Sequence, residues 1–272
     1  MSFTVQKNLK RKLKKSVFVL FGLYIMIASA LHFFQEKLLF LPTTLEQDYQ
    51  YESNYFFEEL FLKTDTDATI NAMHFKVENP KGVILYFHGN AGDLSRWGTI
   101  AEYFVARHYD VLVMDYRTYG KSIGALSEEA FYRDAQYCYD YLLNRYSETE
   151  ITLYGRSLGT GIASYLASEN KPKQLILETP YYSILDIAEY RFPMFYVKKL
   201  LKYHFPTFEF LPKTDCPLTI IHGTEDSIVP YTSSRKLLEL NLKRLNFVTI
   251  KGGNHKDLIT FDRYHDTINK LL

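Results

Sequence analysis

The chain has 272 residues, 47% of them apolar, with 32 basic and 31 acidic side chains and a formal net charge of +1. That length admits one α/β domain or two small ones, and the near-zero charge offers no global field for nucleic acid. Two cysteines, Cys138 and Cys216, make no disulfide framework and read as buried free thiols. No Cys/His spacing suggests zinc and no Gly-rich loop suits a phosphate, so no metal and no cofactor is implied.

Positive charge is concentrated at the start. Lys7, Lys10, Arg11, Lys12, Lys14 and Lys15 fall within residues 1–15, a basic tail expected on the cytoplasmic side. From Ser16 to Phe34 the only residue that can carry a charge near neutral pH is His32. Val17 to Phe34 would form a helix about 27 Å long at ~1.5 Å per residue, just enough to span a bilayer core. Residues 16–34 are therefore expected as a transmembrane signal-anchor. Downstream, Glu36 and Lys37 nearly cancel, so the charge asymmetry puts the rest of the chain across the membrane. Two other readings compete. Ala28-Ser29-Ala30 fits a signal-peptide cleavage site. A buried amphipathic helix is the third, though the segment is apolar all round. The chain has no Asn-x-Ser/Thr sequon, which favours a periplasmic or outer-face bacterial setting over a glycosylated lumenal one.

Residues 35–54 read as a connector, and 55–272 as the folded domain. Tyr55 to Val77 alternates around Thr64-Asp65-Thr66-Asp67 and predicts an antiparallel hairpin. Strands and helices then alternate: strand Val83–Phe87, helix Leu94–Arg107, strand Val111–Met114, helix Ser127–Arg145, strand Ile151–Tyr154, helix Leu158–Ser168, strand Leu175–Leu177. Ser127 followed by Glu128 and Glu129 is a good helix start. An irregular stretch, residues 181–216, follows. The chain closes with strand Leu218–Ile221, helix Ser233–Leu240, strand Phe247–Ile250 and helix Leu258–Leu272. Short apolar strands without alternation predict a doubly wound, mostly parallel sheet with helices on both faces and an antiparallel start.

Gly155-Arg156-Ser157-Leu158-Gly159 sits between a strand and a helix. Gly-x-Ser-x-Gly in that context is a nucleophile elbow, with glycines where side chains would collide with neighbouring elements. A serine hydroxyl needs a base, and the base needs a carboxylate to fix its tautomer. Both should follow the serine, in loops after later strands. His255, in Gly252-Gly253-Asn254-His255, is the base. Asp226, in His222-Gly223-Thr224-Glu225-Asp226, is the acid, with Glu225, Asp257 and Glu178 as alternatives. For an oxyanion, the donors are the backbone N–H groups of Leu158 and of Asn90 in His88-Gly89-Asn90-Ala91-Gly92. His88 reads as a loop anchor, and the loop from Asp115 to Ser122 as a structural border.

Together these five ordered motifs resemble the α/β-hydrolase superfamily. With Gln35-Glu36-Lys37-Leu38-Leu39-Phe40-Leu41-Pro42 they resemble, more narrowly, its membrane-anchored, serine-aminopeptidase-like members with one N-terminal helix. The resemblance implies the Ser157–Asp226–His255 triad and leaves the substrate open among esterases, lipases, thioesterases and peptidases. Residues 181–216 should form a short cap over the crevice. Its many aromatic residues read as packing or as an acyl-binding roof. The expected function is a membrane-anchored serine hydrolase of ester or thioester bonds in a small-molecule or lipid-like acyl substrate, with no nucleic-acid partner. A peptidase on the same triad is the alternative, for which Glu178 and Asp186 are the candidate grips on a peptide amino terminus. A non-catalytic binding module is the third reading.

Overall fold

The run Val83–Phe87 has no polar position because both of its faces are covered. Val83, Leu85 and Phe87 point into one apolar cluster, and Ile84 and Tyr86 into another on the opposite side. That period of two is the strand geometry applied to a sheet sandwiched between helical layers.

The computed structural model describes residues 3–272; residues 1 and 2 of the basic tail lie outside the described residues. In chain order the elements are α1 (Phe3–Phe33), α2 (Gln35–Leu39), β1 (Leu41–Pro42), β2 (Phe57–Lys63), β3 (Thr69–Phe75), β4 (Val83–Phe87) and β5 (Ala91–Gly92). Then come α3 (Leu94–Val105), β6 (Asp110–Met114), α4 (Glu128–Leu143), β7 (Ile151–Arg156), α5 (Leu158–Glu169) and β8 (Gln174–Glu178). The last are α6 (Ile184–Arg191), α7 (Thr207–Phe210), β9 (Leu218–Gly223), α8 (Tyr231–Lys236), β10 (Leu245–Ile250) and α9 (Asp262–Leu271).

Eight strands form one sheet in the order β10-β9-β8-β7-β4-β6-β3-β2. The β2–β3 and β3–β6 pairs are antiparallel and all others parallel. This is the expected doubly wound sheet with an antiparallel start. α4 and α5 pack on one face, burying Phe131, Cys138 and Tyr139 with Ile162 and Leu166. α3 and α9 pack on the other, where Trp97, Phe104 and Tyr264 cover Tyr86 and Tyr154. Ser127 caps α4, its Oγ accepting from the Ala130 N–H at 3.0 Å, with Glu128 and Glu129 in the first turn. Cys138 and Cys216 are free and buried, and burial pushes the Cys216 thiol up to about 11.

Three segments differ from the sequence reading. The first is the expected connector over 35–54, whose opening residues are built into the domain. β1 pairs in parallel with β5, Leu41 with Ala91 and Pro42 with Gly92. Phe40 is 3% exposed, its ring 4.8 Å from that of Tyr203 and 5.3 Å from that of Phe131. Burying such a side chain contributes roughly 2–3 kcal/mol, far more than a tether needs. A two-residue strand has no periodicity to read, so the pairing was invisible in the sequence.

The second is the irregular stretch 181–216, which holds α6, α7 and two single 3₁₀ turns, Val197–Lys199 and Leu211–Lys213. Tyr181, Tyr203, Phe205 and Leu211 pack it into the core, the backbone N–H groups of His204 and Phe205 donate to the Glu128 carboxylate, and within it Ile184 N–H donates to His204 O at 2.9 Å. The third is α1, which is helical from residue 3 and not only over 16–34. Lys10–Phe33 is long and apolar enough to cross a membrane, and it is exposed along most of its length, with Ala28 buried and Leu31 and His32 half-buried near its end.

Candidate active site

β7 ends at Arg156 and α5 starts at Leu158, so Ser157 alone makes the turn between them. It does so at φ 51° and ψ −114°, a conformation that a residue with a side chain rarely adopts. Glycines make room for it. A methyl group on Gly159 would lie 2.1 Å from the Phe87 carbonyl oxygen, and one on Gly155 2.5 Å from the Gly159 oxygen. Backbone cannot yield at those distances, so both positions must be glycine. Bonds from Ser157 N–H to Glu178 O (2.9 Å) and from Gly159 N–H to His88 O (3.1 Å) hold the turn between its neighbouring strands.

The loops after β9 and β10 bring two more side chains to Ser157. His255 Nδ1 lies 2.7 Å from Asp226 Oδ2, and His255 Nε2 lies 3.0 Å from Ser157 Oγ. An ionised carboxylate only accepts, so the imidazole proton sits on Nδ1 and Nε2 is left to accept from the serine hydroxyl. The three residues are nearly buried, with Ser157 9%, Asp226 7% and His255 8% exposed. Water is largely kept from the chain of bonds while Ser157 stays reachable.

Asp226 is saturated with donors. Its Oδ1 accepts the backbone N–H groups of Ile228 (2.9 Å) and Val229 (2.8 Å). Its Oδ2 takes His255 and also His222 Nε2 at 3.1 Å. Burial would push this carboxyl up, but the hydrogen bonds from His222 and His255 outweigh it and hold it well below the usual carboxylate range. His222 is fully buried and shares its Nε2–H with Val229 O at 3.1 Å. The sequence reading passed over this histidine; its place in the strand-end motif, four residues before Asp226, was the available signal.

The alternative acids lie elsewhere. Glu225 is exposed. Asp257 accepts the Asn254 N–H at 2.6 Å and so shapes the His255 loop. Glu178 is engaged by Arg156 at 3.1 Å and by the Tyr154 hydroxyl at 2.5 Å. Arg156 Nη2 also donates to His255 O at 3.4 Å, linking the elbow to the histidine loop. This second role for the variable residue of the pentapeptide was not legible from its type.

His88-Gly89-Asn90 runs alongside the elbow. A methyl on Gly89 would sit 3.7 Å from Ser157 Cβ, which sets how close the loop comes. Tyr116 OH donates to His88 O at 2.7 Å and Tyr119 OH to Asn90 O at 2.9 Å. The border loop thus fixes the peptide groups on either side of the one that carries the Asn90 N–H, and these tyrosines too escaped the sequence reading. His88 is buried against Asp115, with Nε2 and Oδ1 3.2 Å apart; burial raises the Asp115 carboxyl pKa and the His88 bond partly offsets that. The exit segment grips the same loop: Leu41 N–H donates to Asn90 O at 3.0 Å, and Asn90 Nδ2 to Leu39 O at 2.9 Å. The backbone N–H groups of Asn90 and Leu158 donate to no protein acceptor among the described residues. No cluster of metal-ligating side chains occurs among those residues.

The chain is similar to known proteins on two levels. A family model described as serine aminopeptidase, S33, matches residues 78–216, just over half of the chain. An uncharacterized protein of Mycobacterium tuberculosis is 31% identical over 176 residues, 64% of this chain and 63% of that protein. The chain thus spans under two thirds of that relative's length. The lysophosphatidylserine lipase ABHD12 of Macaca fascicularis is 28% identical over 299 residues, covering 90% of this chain and 74% of the lipase. Among solved structures, the Pyrococcus furiosus esterase Pf2001 superposes with a TM-score of 0.67 at 17% identity, covering 85% of this chain and 95% of the esterase. Mouse alpha/beta hydrolase domain-containing protein 10 superposes at 0.58 and 18%, covering 79% of this chain and 100% of that one. By its family match and its sheet, this chain belongs to the serine aminopeptidase S33 family of α/β-hydrolases.

Proposed function

We propose that the protein is a membrane-anchored serine hydrolase that cleaves carboxylic ester or thioester bonds of lipid-like acyl substrates. The observation that carries this reading is the Ser157–His255–Asp226 hydrogen-bonded chain, at 3.0 and 2.7 Å, on a strained elbow. Ser157 Oγ attacks the acyl carbonyl while its proton passes to His255 Nε2. Asp226 holds the imidazole in register and favours the imidazolium that forms. The carbonyl oxygen, now negative, is received by the free N–H groups of Leu158 and Asn90, the first of them at the N-terminus of α5. Collapse expels the alkoxide or thiolate with the proton from His255 and leaves an acyl-enzyme. Water then attacks that ester, His255 takes its proton, and the released Ser157 regains one.

The ester side is favoured over the peptidase side by two facts. The relative named as a lipase aligns over 90% of this chain. The carboxylates suited to grip a peptide amino terminus are engaged: Glu178 by Arg156 and Tyr154, Asp186 by Lys236 and Ser233. For the anchor, α1 supplies an apolar helix whose residues 10–27 are all exposed. It runs unbroken through Ala28-Ser29-Ala30, and cleavage there would remove Tyr24, whose ring stacks on Phe195 of the cap. The basic residues before the span support a cytoplasmic N-terminus and a catalytic domain on the opposite, extracytoplasmic side.

Parallel assays on acyl esters, acyl thioesters and aminoacyl amides test the reading. We expect Ser157-dependent turnover of esters and thioesters and slow or no amide cleavage. Amide cleavage at the ester rate or above would favour the peptidase instead.

A further inference from the structure

The cap and the end of α1 form one continuous body. His32 Nδ1 lies 2.8 Å from Leu200 O, and Gln35 Nε2 donates to the same oxygen at 3.1 Å. Lys202 N–H donates to Gln35 Oε1 at 2.7 Å, and Tyr203 OH to Glu36 Oε1 at 2.8 Å. Gln35 is only 4% exposed, so these bonds sit in a packed joint. Beside it is a cavity of about 60 Å³ between Leu31 and Leu38 on one side and Phe192, Val197 and Leu201 on the other.

The joint does not stop where the apolar helix ends. Phe195 of the cap stacks on Tyr24 with ring centroids 5.0 Å apart and planes at 12°. Tyr24 lies nine residues before Phe33, about 14 Å back along the helix at ~1.5 Å per residue. A hydrocarbon core is about 30 Å thick, so that level is close to half its depth if the exit lies at its edge. The cap therefore overlaps the span lengthwise. Around Phe195 the chain exposes large side chains that no protein covers: Met194 is 84% exposed, Tyr190 69% and Tyr196 62%. At the end of the apolar helix Phe33 and Phe34 are likewise exposed, at 71% and 57%. Arg191, Lys198, Lys199 and Lys202 rim it, all exposed. Apolar and aromatic tips with long basic side chains reaching past them are the make-up of a segment seated at a lipid interface.

We propose that the cap tip, Tyr190 and Met194–Tyr196, is embedded in the leaflet adjoining the catalytic domain, with the rimming basic residues on anionic headgroups. This rests on the reading of α1 as a span and deepens the proposed function, because it sets where the substrate comes from. Arg191 Nη2 donates to Ile228 O at 2.8 Å, two residues from Asp226, so the embedded tip connects directly to the acid loop. An acyl chain lifted from the leaflet would meet the cap before it meets water.

Full-length protein in nanodiscs containing lipids brominated in the acyl chain gives the test. The native chain has a single tryptophan, Trp97, which is 4% exposed in the domain core and serves as the unquenched reference. Phe21→Trp reports the span and Tyr196→Trp reports the tip. We expect brominated lipid to quench both introduced probes and not the parent. Quenching at 21 without 196 would overturn the embedded tip while leaving the span. Quenching at neither would overturn both, and at 196 alone would keep the tip in lipid and overturn the span.

A functional arm uses Met194→Asp, whose site is open to any side chain. A charge brought into hydrocarbon is costly, so turnover of a membrane-borne ester should fall roughly tenfold or more while a water-soluble p-nitrophenyl ester is hydrolysed as before. Equal turnover of the membrane-borne ester would remove the tip from substrate delivery.

Discussion

Asp226→Asn is expected to lower kcat/KM for a soluble ester by about 10⁴-fold while the protein stays folded. The amide can still accept from Ile228 and Val229 N–H through its oxygen. Its NH₂ would then face His222 and His255, which both present N–H groups to an acceptor. His255 must switch tautomer, which puts a proton on Nε2, where the Ser157 hydroxyl needs a lone pair. The wild-type carboxylate never creates this conflict, because the two histidines hold its pKa well below the usual range against the opposing effect of burial. Asp226 therefore stays ionised wherever an imidazole titrates, and the acid limb of the wild-type profile should carry a single proton. For stability the sign is equally fixed. A depressed folded pKa gives a contribution complete above about pH 4, the unfolded value, and lost as pH falls through the folded one. Ester hydrolysis from pH 4.5 to 9 reads out the first effect, and melting curves on both proteins carried down through and below pH 4 read out the second.

The second large effect concerns the exit segment. A chain beginning at Gln35 should keep its activity on soluble esters, and one beginning at Thr43 should lose it. The shorter chain lacks Phe40, buried against Phe131 and Tyr203, and the Leu41 N–H that holds Asn90 O. Loss of a large buried side chain costs about 3–5 kcal/mol, and displacement of the Asn90 N–H, the proposed oxyanion donor, up to about 10²–10³-fold in kcat. Asn90→Ala separates the two. It keeps Phe40 and the backbone N–H but removes the bond to Leu39 O. A fall in kcat of about tenfold, with KM and melting temperature near wild type, would locate the effect in loop placement. Full activity of the chain starting at Thr43 would contradict the coupling of exit segment and site.

What the sequence revealed and what it hid divide along one physical line. Gly155 and Gly159 were legible because backbone from β4 and α5 leaves no room for a Cβ, a constraint that writes itself into residue type. The parallel strands were legible because β4, β6 and β8 are covered on both faces and are buried at every position. His255 and Asp226 stood out because they fall in glycine-bearing loops after the two last strands. Residues acting through tertiary neighbours left no such mark. The bonds of His222 to Asp226, Arg156 to Glu178, and Tyr116 and Tyr119 to the His88 loop join segments far apart in the chain or depend on a side chain's direction. The cap could be read as an excursion but not divided into elements, because its aromatic residues follow no period. Part of them pack inward, as Tyr203 and Phe205 do, and part face out, as Tyr190 and Tyr196 do.

A fluorophosphonate probe mapped by peptide mass spectrometry tests the central claim most directly. Full-length protein should carry one adduct, on Ser157, and Ser157→Ala should carry none at the same probe concentration. An adduct on any other residue, or equal labelling of Ser157→Ala, would contradict a serine hydrolase built on this elbow.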